Sequence, residues 1–161
     1  MTMHINFDSI KNLSLEDART FIVSHEKMRI GDIKLFDLIS DSGHPLSSSQ
    51  GIYMFFDGSG QTCLYVGKNS SLQFIERIPC HFAQSEHSWH NHFLKYFKKY
   101  ANIESYYDSA MATQTCHLVL IHFDPQYINK AERIFRFIMA PKFNSVKAGI
   151  DPKLILSDAI K

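Results

Sequence analysis

Residues 51–68 read GIYMFFDGSGQTCLYVGK. Two short apolar runs flank DGSG, residues 57–60, whose members tolerate the positive φ angles of a tight turn, so a β-hairpin is predicted. Each run carries a tyrosine, Tyr53 and Tyr65, and the second ends in Gly67 and Lys68. Tyrosine is favoured in strands simply because it packs well there. A hairpin that sets two phenols and a lysine on one face of a sheet would instead offer polar chemistry. The flanking sequence bears on which of these holds.

Upstream, Ser14 followed by Asp17 resembles a capping box, and Leu15, Ala18, Ile22 and Val23 fall on one face, which predicts a helix. IGDIKLFDLISD, residues 30–41, is a second short helix candidate, and SGHPLSSSQ, residues 42–50, is rich in turn formers. Residues 1–46 therefore read as a helical N-terminal extension and residues 47–161 as the main domain. Downstream of the hairpin, Phe74, Ile78 and Phe82 predict a helix from about Leu72. Trp89, Phe93, Tyr96, Phe97 and Tyr100 form one stripe of a further helix, with Ser88 as its N-cap. TCHLVLIHF, residues 115–123, reads as a buried strand, and NKAERIFRFIMAPKFN as a helix stopped near Pro141. The order β-β-α-α-β-α gives an α+β fold with a small sheet flanked by helices.

The 161 residues suit one domain, and 45% hydrophobic content suffices for a core. Seventeen basic residues face sixteen acidic ones, so a nucleic-acid partner would need a local basic patch. Lys95, Lys98 and Lys99 on one side of the Trp89–Tyr100 stripe are candidates for it, although a solvated helix face explains them as well. Cys63, Cys80 and Cys116 are odd in number and lack C-x-x-C spacing, which favours a reducing compartment. MTMHINFD lacks a signal-peptide pattern and no apolar run could span a membrane, so a soluble cytoplasmic protein is expected. The histidines in CHFAQSEHSWHNHF match no structural zinc spacing.

Several polar residues interrupt these patterns. Arg77 and His81 are four apart and share a helix face. Glu132 borders the stripe of Ala131, Ile134, Phe135, Ile138 and Met139, and Asn144 follows in PKFN. Two tyrosines, a lysine, an arginine, a histidine, a glutamate and an asparagine suit phosphodiester cleavage. A lone hard oxygen ligand such as Glu132 suits Mg²⁺, which keeps most of its waters and binds substrate phosphate. Arg77 could hold phosphoryl oxygens as charge builds. A phenol is a poor base at neutral pH unless cations lower its pKa, and Lys68, Arg77 and the metal are candidates for doing so. More ordinary roles remain open: a surface pair of Glu132 with Arg136, packing for the tyrosines, a turn for Asn144.

GIY, then LYVGK, an Arg and a His on the following helix, and a Glu followed by PKFN together resemble the GIY-YIG nuclease family, over roughly Gly51 to Asn144. The resemblance implies a three-stranded antiparallel sheet flanked by helices, one divalent metal (Mg²⁺ or Mn²⁺) and endonucleolytic hydrolysis of DNA, with RNA left open as a substrate. It implies Tyr53 as general base or relay, with Tyr65 positioning water or phosphate beside it. Gly67 would allow close backbone approach to nucleic acid, and Lys68 would add positive charge. Arg77 would clamp the phosphate, and His81 would hydrogen-bond in the network or share the base role. Glu132 would hold the metal, and Asn144 would order the site. Two features depart from the pattern. Arg77 lies about two residues beyond the usual place, where Ile75 stands, and Pro79 falls between Arg77 and His81, where it should kink or break the helix. The rival readings are a DNA-binding module without hydrolysis and a nuclease toxin or subunit. In the latter, residues 1–46 would dock a protein partner or a second copy.

Overall fold

The computed structural model describes residues 2–146 and 148–161; Met1 and Lys147 lie outside them. The strands and helices in chain order are β1 (His4–Asn6), α1 (Leu15–Ser24), β2 (Met28–Arg29), β3 (Ser40–Asp41), β4 (His44–Pro45), β5 (Gly51–Phe56), β6 (Cys63–Asn69), α2 (Phe74–Cys80), α3 (His92–Tyr100), α4 (Tyr106–Ala112), β7 (His117–His122), α5 (Ile128–Met139) and α6 (Leu156–Ala159). The fold is α+β, built on a mixed five-stranded sheet. β6, β5 and β7 are antiparallel neighbours, with β5 in the middle. β1 adds to the outer edge of β7 in parallel and β2 adds to the same edge antiparallel. The sheet thus exceeds the three antiparallel strands expected, because short N-terminal strands cover an edge that would otherwise expose unpaired backbone groups.

Every residue of β5 is buried, because both faces of the sheet are covered. Ile52, Met54, Phe56, Val66, Val119 and Ile121 point to one layer, where they meet α1 and α5. Tyr53, Phe55, Tyr65, Leu118 and Leu120 point to the other, where they meet Phe74 and Ile78 of α2 and Phe93 and Phe97 of α3. Phe55 pairs with Tyr65 but Phe56 pairs with Cys63, so Leu64 is an extra residue, a β-bulge. The free edge of β6 is closed by the segment after α5. Lys142 N donates to Cys63 O (3.2 Å) and Phe143 N to Leu64 O (2.8 Å). Val66 N donates to Asn144 Oδ1 at 2.7 Å.

Residues 1–46 correct the expectation of a helical extension. Ser14 caps α1 as expected, accepting from Asp17 N at 3.0 Å. The second helix candidate is instead two 3-10 turns, Ile30–Asp32 and Leu35–Leu38, followed by β3. Ile30 N donates to Cys116 O at 2.8 Å, which ties this stretch to the start of β7 rather than to a helical ladder. Met3, Ile5, Ile10, Leu15, Ile22 and Leu38 are all buried in the core. Each such side chain contributes about 1.5–3 kcal/mol when fully buried. A domain is held folded by a net of only roughly 5–15 kcal/mol, so losing all six removes a large part of what keeps this core together. Deleting residues 1–46 is therefore expected to leave a protein without a cooperative thermal transition. A truncated chain that stayed monodisperse and melted sharply would contradict this packing.

Candidate active site under the hairpin

Tyr53 and Gly67 are cross-strand partners on β5 and β6. A Cβ added at Gly67 would clash with Cζ, Oη and Cε2 of Tyr53, so the hydroxyl end of the ring packs directly on the glycine. This corrects the expectation that Gly67 leaves room for a nucleic-acid backbone: the tyrosine occupies that room. Tyr65 stacks beside Tyr53, with ring centroids 6.2 Å apart. Tyr53 is 1% exposed and Tyr65 6%.

His81 closes the site from the α2 side. Pro79 sits in the last turn of α2 and does not break it. The chain tightens there to 3-10 geometry, with His81 N donating to Ile78 O at 3.1 Å and Phe82 N to Pro79 O at 3.0 Å. His81 becomes the C-cap and is fully buried. Its Nε2 lies 2.7 Å from Tyr53 Oη, and its Nδ1 accepts from the backbone N–H of Phe93 at 3.2 Å. Burial, reinforced by Arg77, His92 and His90, pushes the imidazole down to about 2, so it is neutral. A neutral ring has one proton, and Nδ1 already accepts. The proton is thus on Nε2, and His81 donates to the Tyr53 oxygen.

Arg77 lies half-buried with its guanidinium carbon 6.0 Å from the centre of the Tyr53 ring, and its Nη1 donates to His90 O at 2.8 Å. The guanidinium favours phenolate, yet burial dominates and the neighbouring Tyr65 adds to it, so Tyr53 is held well above the ordinary phenol value. Tyr65 is raised by burial as well, against the opposing pull of Arg77 and Arg136. The protein's own cations do not lower the phenols as expected. Desolvation of the charged form outweighs the nearby charges.

Lys68 does not share the face of the phenols. Side chains alternate along a strand, so Lys68, next to Gly67, points to the opposite layer. There its Nζ meets Glu132 Oε2 of α5 at 3.1 Å and Asn129 Oδ1 at 2.8 Å. Glu132 Oε1 pairs with Arg136 Nη2 at 2.8 Å, the i, i+4 pair foreseen as its ordinary role. The carboxylate stays within electrostatic reach of both phenols across the β6 edge, raising Tyr53 and Tyr65. Among the described residues no group of three or more His, Cys, Asp or Glu is arranged to hold a metal ion.

An open cleft of about 250 Å³ adjoins this edge, lined by Tyr65, His92, Tyr96, Arg136, Phe143 and Asn144 among others. Asn144 is committed through Oδ1 to Val66 N, so its first task is to fix the β6 edge. Lys95, Lys98 and Lys99 gather in a separate groove between α3 and α4. Trp89 is 84% exposed and precedes α3 instead of joining its stripe. Asn91 stops the helix short of it, donating through Nδ2 to Ala83 O (2.6 Å) and Ser85 O (3.0 Å). Sequence reasoning missed Asn69, whose side chain accepts from Gly51 N at 3.0 Å and donates to Leu72 O at 2.9 Å, locking the hairpin to the approach of α2. A polar residue ending a buried strand is the signal that could have found it.

His122 is a second buried imidazole, pushed down to about 4 by burial and by His4 against the opposing pull of Asp41. Both His81 and His122 stay neutral in the fold and gain protons on unfolding below the ordinary value of 6.5. The unfolded chain then binds more protons, so their contribution is fully present above that value and is lost as pH falls from it, down to about 4 for His122 and about 2 for His81. Urea unfolding is expected to show a clearly lower midpoint at about pH 4.5 than at about pH 7. Equal midpoints would contradict neutral buried rings.

No protein-family model, curated protein or solved structure matches this chain.

Proposed function

We propose that this chain is a divalent-metal-dependent endonuclease of the GIY-YIG type that hydrolyses DNA phosphodiester bonds. The observation that carries the reading is the convergence of Tyr53 Oη, the Nε2–H of His81 and the guanidinium of Arg77 beneath one hairpin, with the Glu132 carboxylate at its edge. His81 and Arg77 both favour negative charge on the Tyr53 oxygen and offset part of the cost that burial places on the phenolate. It takes the proton of an attacking water, and Tyr65 orients that water. Arg77 also faces the phosphoryl oxygens, whose charge grows as the bond breaks. A hard cation at Glu132 would have to displace Lys68 or Arg136 from one of its oxygens. Glu132 supplies a partly exposed carboxylate, and Tyr65 and Asn144 bring oxygens to the adjacent cleft. Glu132 would hold Mg²⁺ or Mn²⁺, which when bound polarises the phosphate and stabilises the leaving oxygen.

A second reading, a DNA-binding module without hydrolysis, is favoured by one observation. Both Glu132 oxygens are already engaged, by Lys68 and by Arg136. Incubating the purified protein with supercoiled plasmid and Mg²⁺ or Mn²⁺ separates the two. Nicked and linear products that vanish with chelator support the nuclease. Retarded but uncut plasmid under every metal condition supports the module.

A further inference from the structure

The exposed side of α3 carries two adjacent rows. Lys95, Lys98 and Lys99 follow one, and His92, Tyr96 and Tyr100 follow the next. The aromatic row is continuous. His92 stacks on Tyr96 with centroids 6.5 Å apart, Tyr96 meets Phe143 at 6.0 Å, and Tyr100 meets Phe143 at 5.5 Å. Tyr96 and Tyr100 are 45% and 55% exposed, so both rings are open to solvent. The row begins inside the cleft that contains Tyr65 and runs out along α3 to Tyr100, where Lys142 Nζ sits 5.4 Å from the ring centre. α3 has no acidic residue. Lys95, Lys98, Lys99 and Lys142 flank the row with positive charge, with Glu104 also lining the lysine groove.

Resting on the nuclease reading, we infer that this row binds an unpaired DNA strand next to the scissile phosphate, with bases stacked on Tyr96 and Tyr100 and phosphates along the lysines. Duplex DNA keeps its bases stacked on one another and offers these rings only a backbone. A single strand can splay its bases onto them, and such stacking is strong and tolerant of sequence. The substrate class this selects is DNA with a single-stranded flap, gap or end.

The test measures binding, not cleavage. Fluorescence anisotropy of the full chain in chelator uses a labelled 15-nucleotide oligo-dT, a 15-base-pair duplex and a 15-nucleotide oligo-rU. Oligo-dT is expected to bind more tightly than duplex. Tyr96→Ala and Tyr100→Ala should each weaken oligo-dT about tenfold while changing duplex little, and Tyr100→Phe should restore the parent affinity. The half-exposed tyrosines allow folded variants, which unchanged melting curves would verify. Equal losses on oligo-dT and duplex, or no loss on either, would overturn the inference, and tighter binding of oligo-rU would overturn the choice of DNA. A parent protein that cuts nothing but keeps this binding pattern supports the strand site while refuting the hydrolase.

Discussion

Tyr53→Phe is expected to cut DNA at least about a hundredfold more slowly than the parent protein, the range usual for loss of a general base. The substitution removes one oxygen and keeps the ring that lies over Gly67, so the fold should survive. Because burial holds the Tyr53 phenol above its ordinary value, little phenolate exists near neutrality. The parent rate should then rise about tenfold per pH unit from about pH 6 to about pH 9, since the ionised fraction grows in that proportion below the pKa. Tyr53→Phe should lose that slope. His81 separates the alternatives. As a donor it is partly replaceable by the amide N–H of glutamine, so His81→Gln should retain more rate than His81→Ala. A parent profile already flat at neutral pH, with both His81 variants dead and Tyr53→Phe active, would move the base role to the histidine.

Gly67→Ala is expected to destabilise the protein by about 3 kcal/mol or more, combining overpacking with the loss of a buried hydrogen bond. The new methyl group would clash with the hydroxyl end of Tyr53, and backbone on both paired strands limits escape. Turning the ring away leaves the His81 Nε2–H buried without its 2.7 Å partner. For a chain of this size the loss lowers Tm by roughly 6–12 °C. The double variant Gly67→Ala with Tyr53→Ala should recover part of the loss, because it removes the obstructing ring. A single Gly67→Ala variant melting with the parent would show that the ring is not held there.

Much of the main domain was legible because its strands are continuous apolar or aromatic runs bounded by turn residues and α5 carries a long stripe. β5, β6, β7 and α5 follow from runs such as MFF, LYV and HLVLIH and from the stripe around Phe135. The N-terminal strands were not, because two or three residues carry no period; β1 and β2 form by pairing with β7, and β3 and β4 by pairing with each other. Trp89 fits the spacing of the α3 stripe, yet Asn91 spends its amide on the Ala83 and Ser85 carbonyls and the helix starts after it. The misplacement of Lys68 could have been avoided, since residues three apart on a strand face opposite ways. The position of the His81 proton had no sequence signal. It depends on the Phe93 backbone, twelve residues away and in another helix.

Single-turnover cleavage of an end-labelled DNA flap by parent protein and by Glu132→Gln tests the central claim most directly. The amide keeps the size of the side chain, and circular dichroism and melting should confirm a shared fold. The parent is expected to cut with Mg²⁺ or Mn²⁺ and to stop in chelator, and Glu132→Gln to cut at least about a thousandfold more slowly at saturating metal. A Glu132→Gln protein that cuts at the parent rate, or a pure parent protein that cuts in chelator or cuts no DNA with either metal, would contradict the claim.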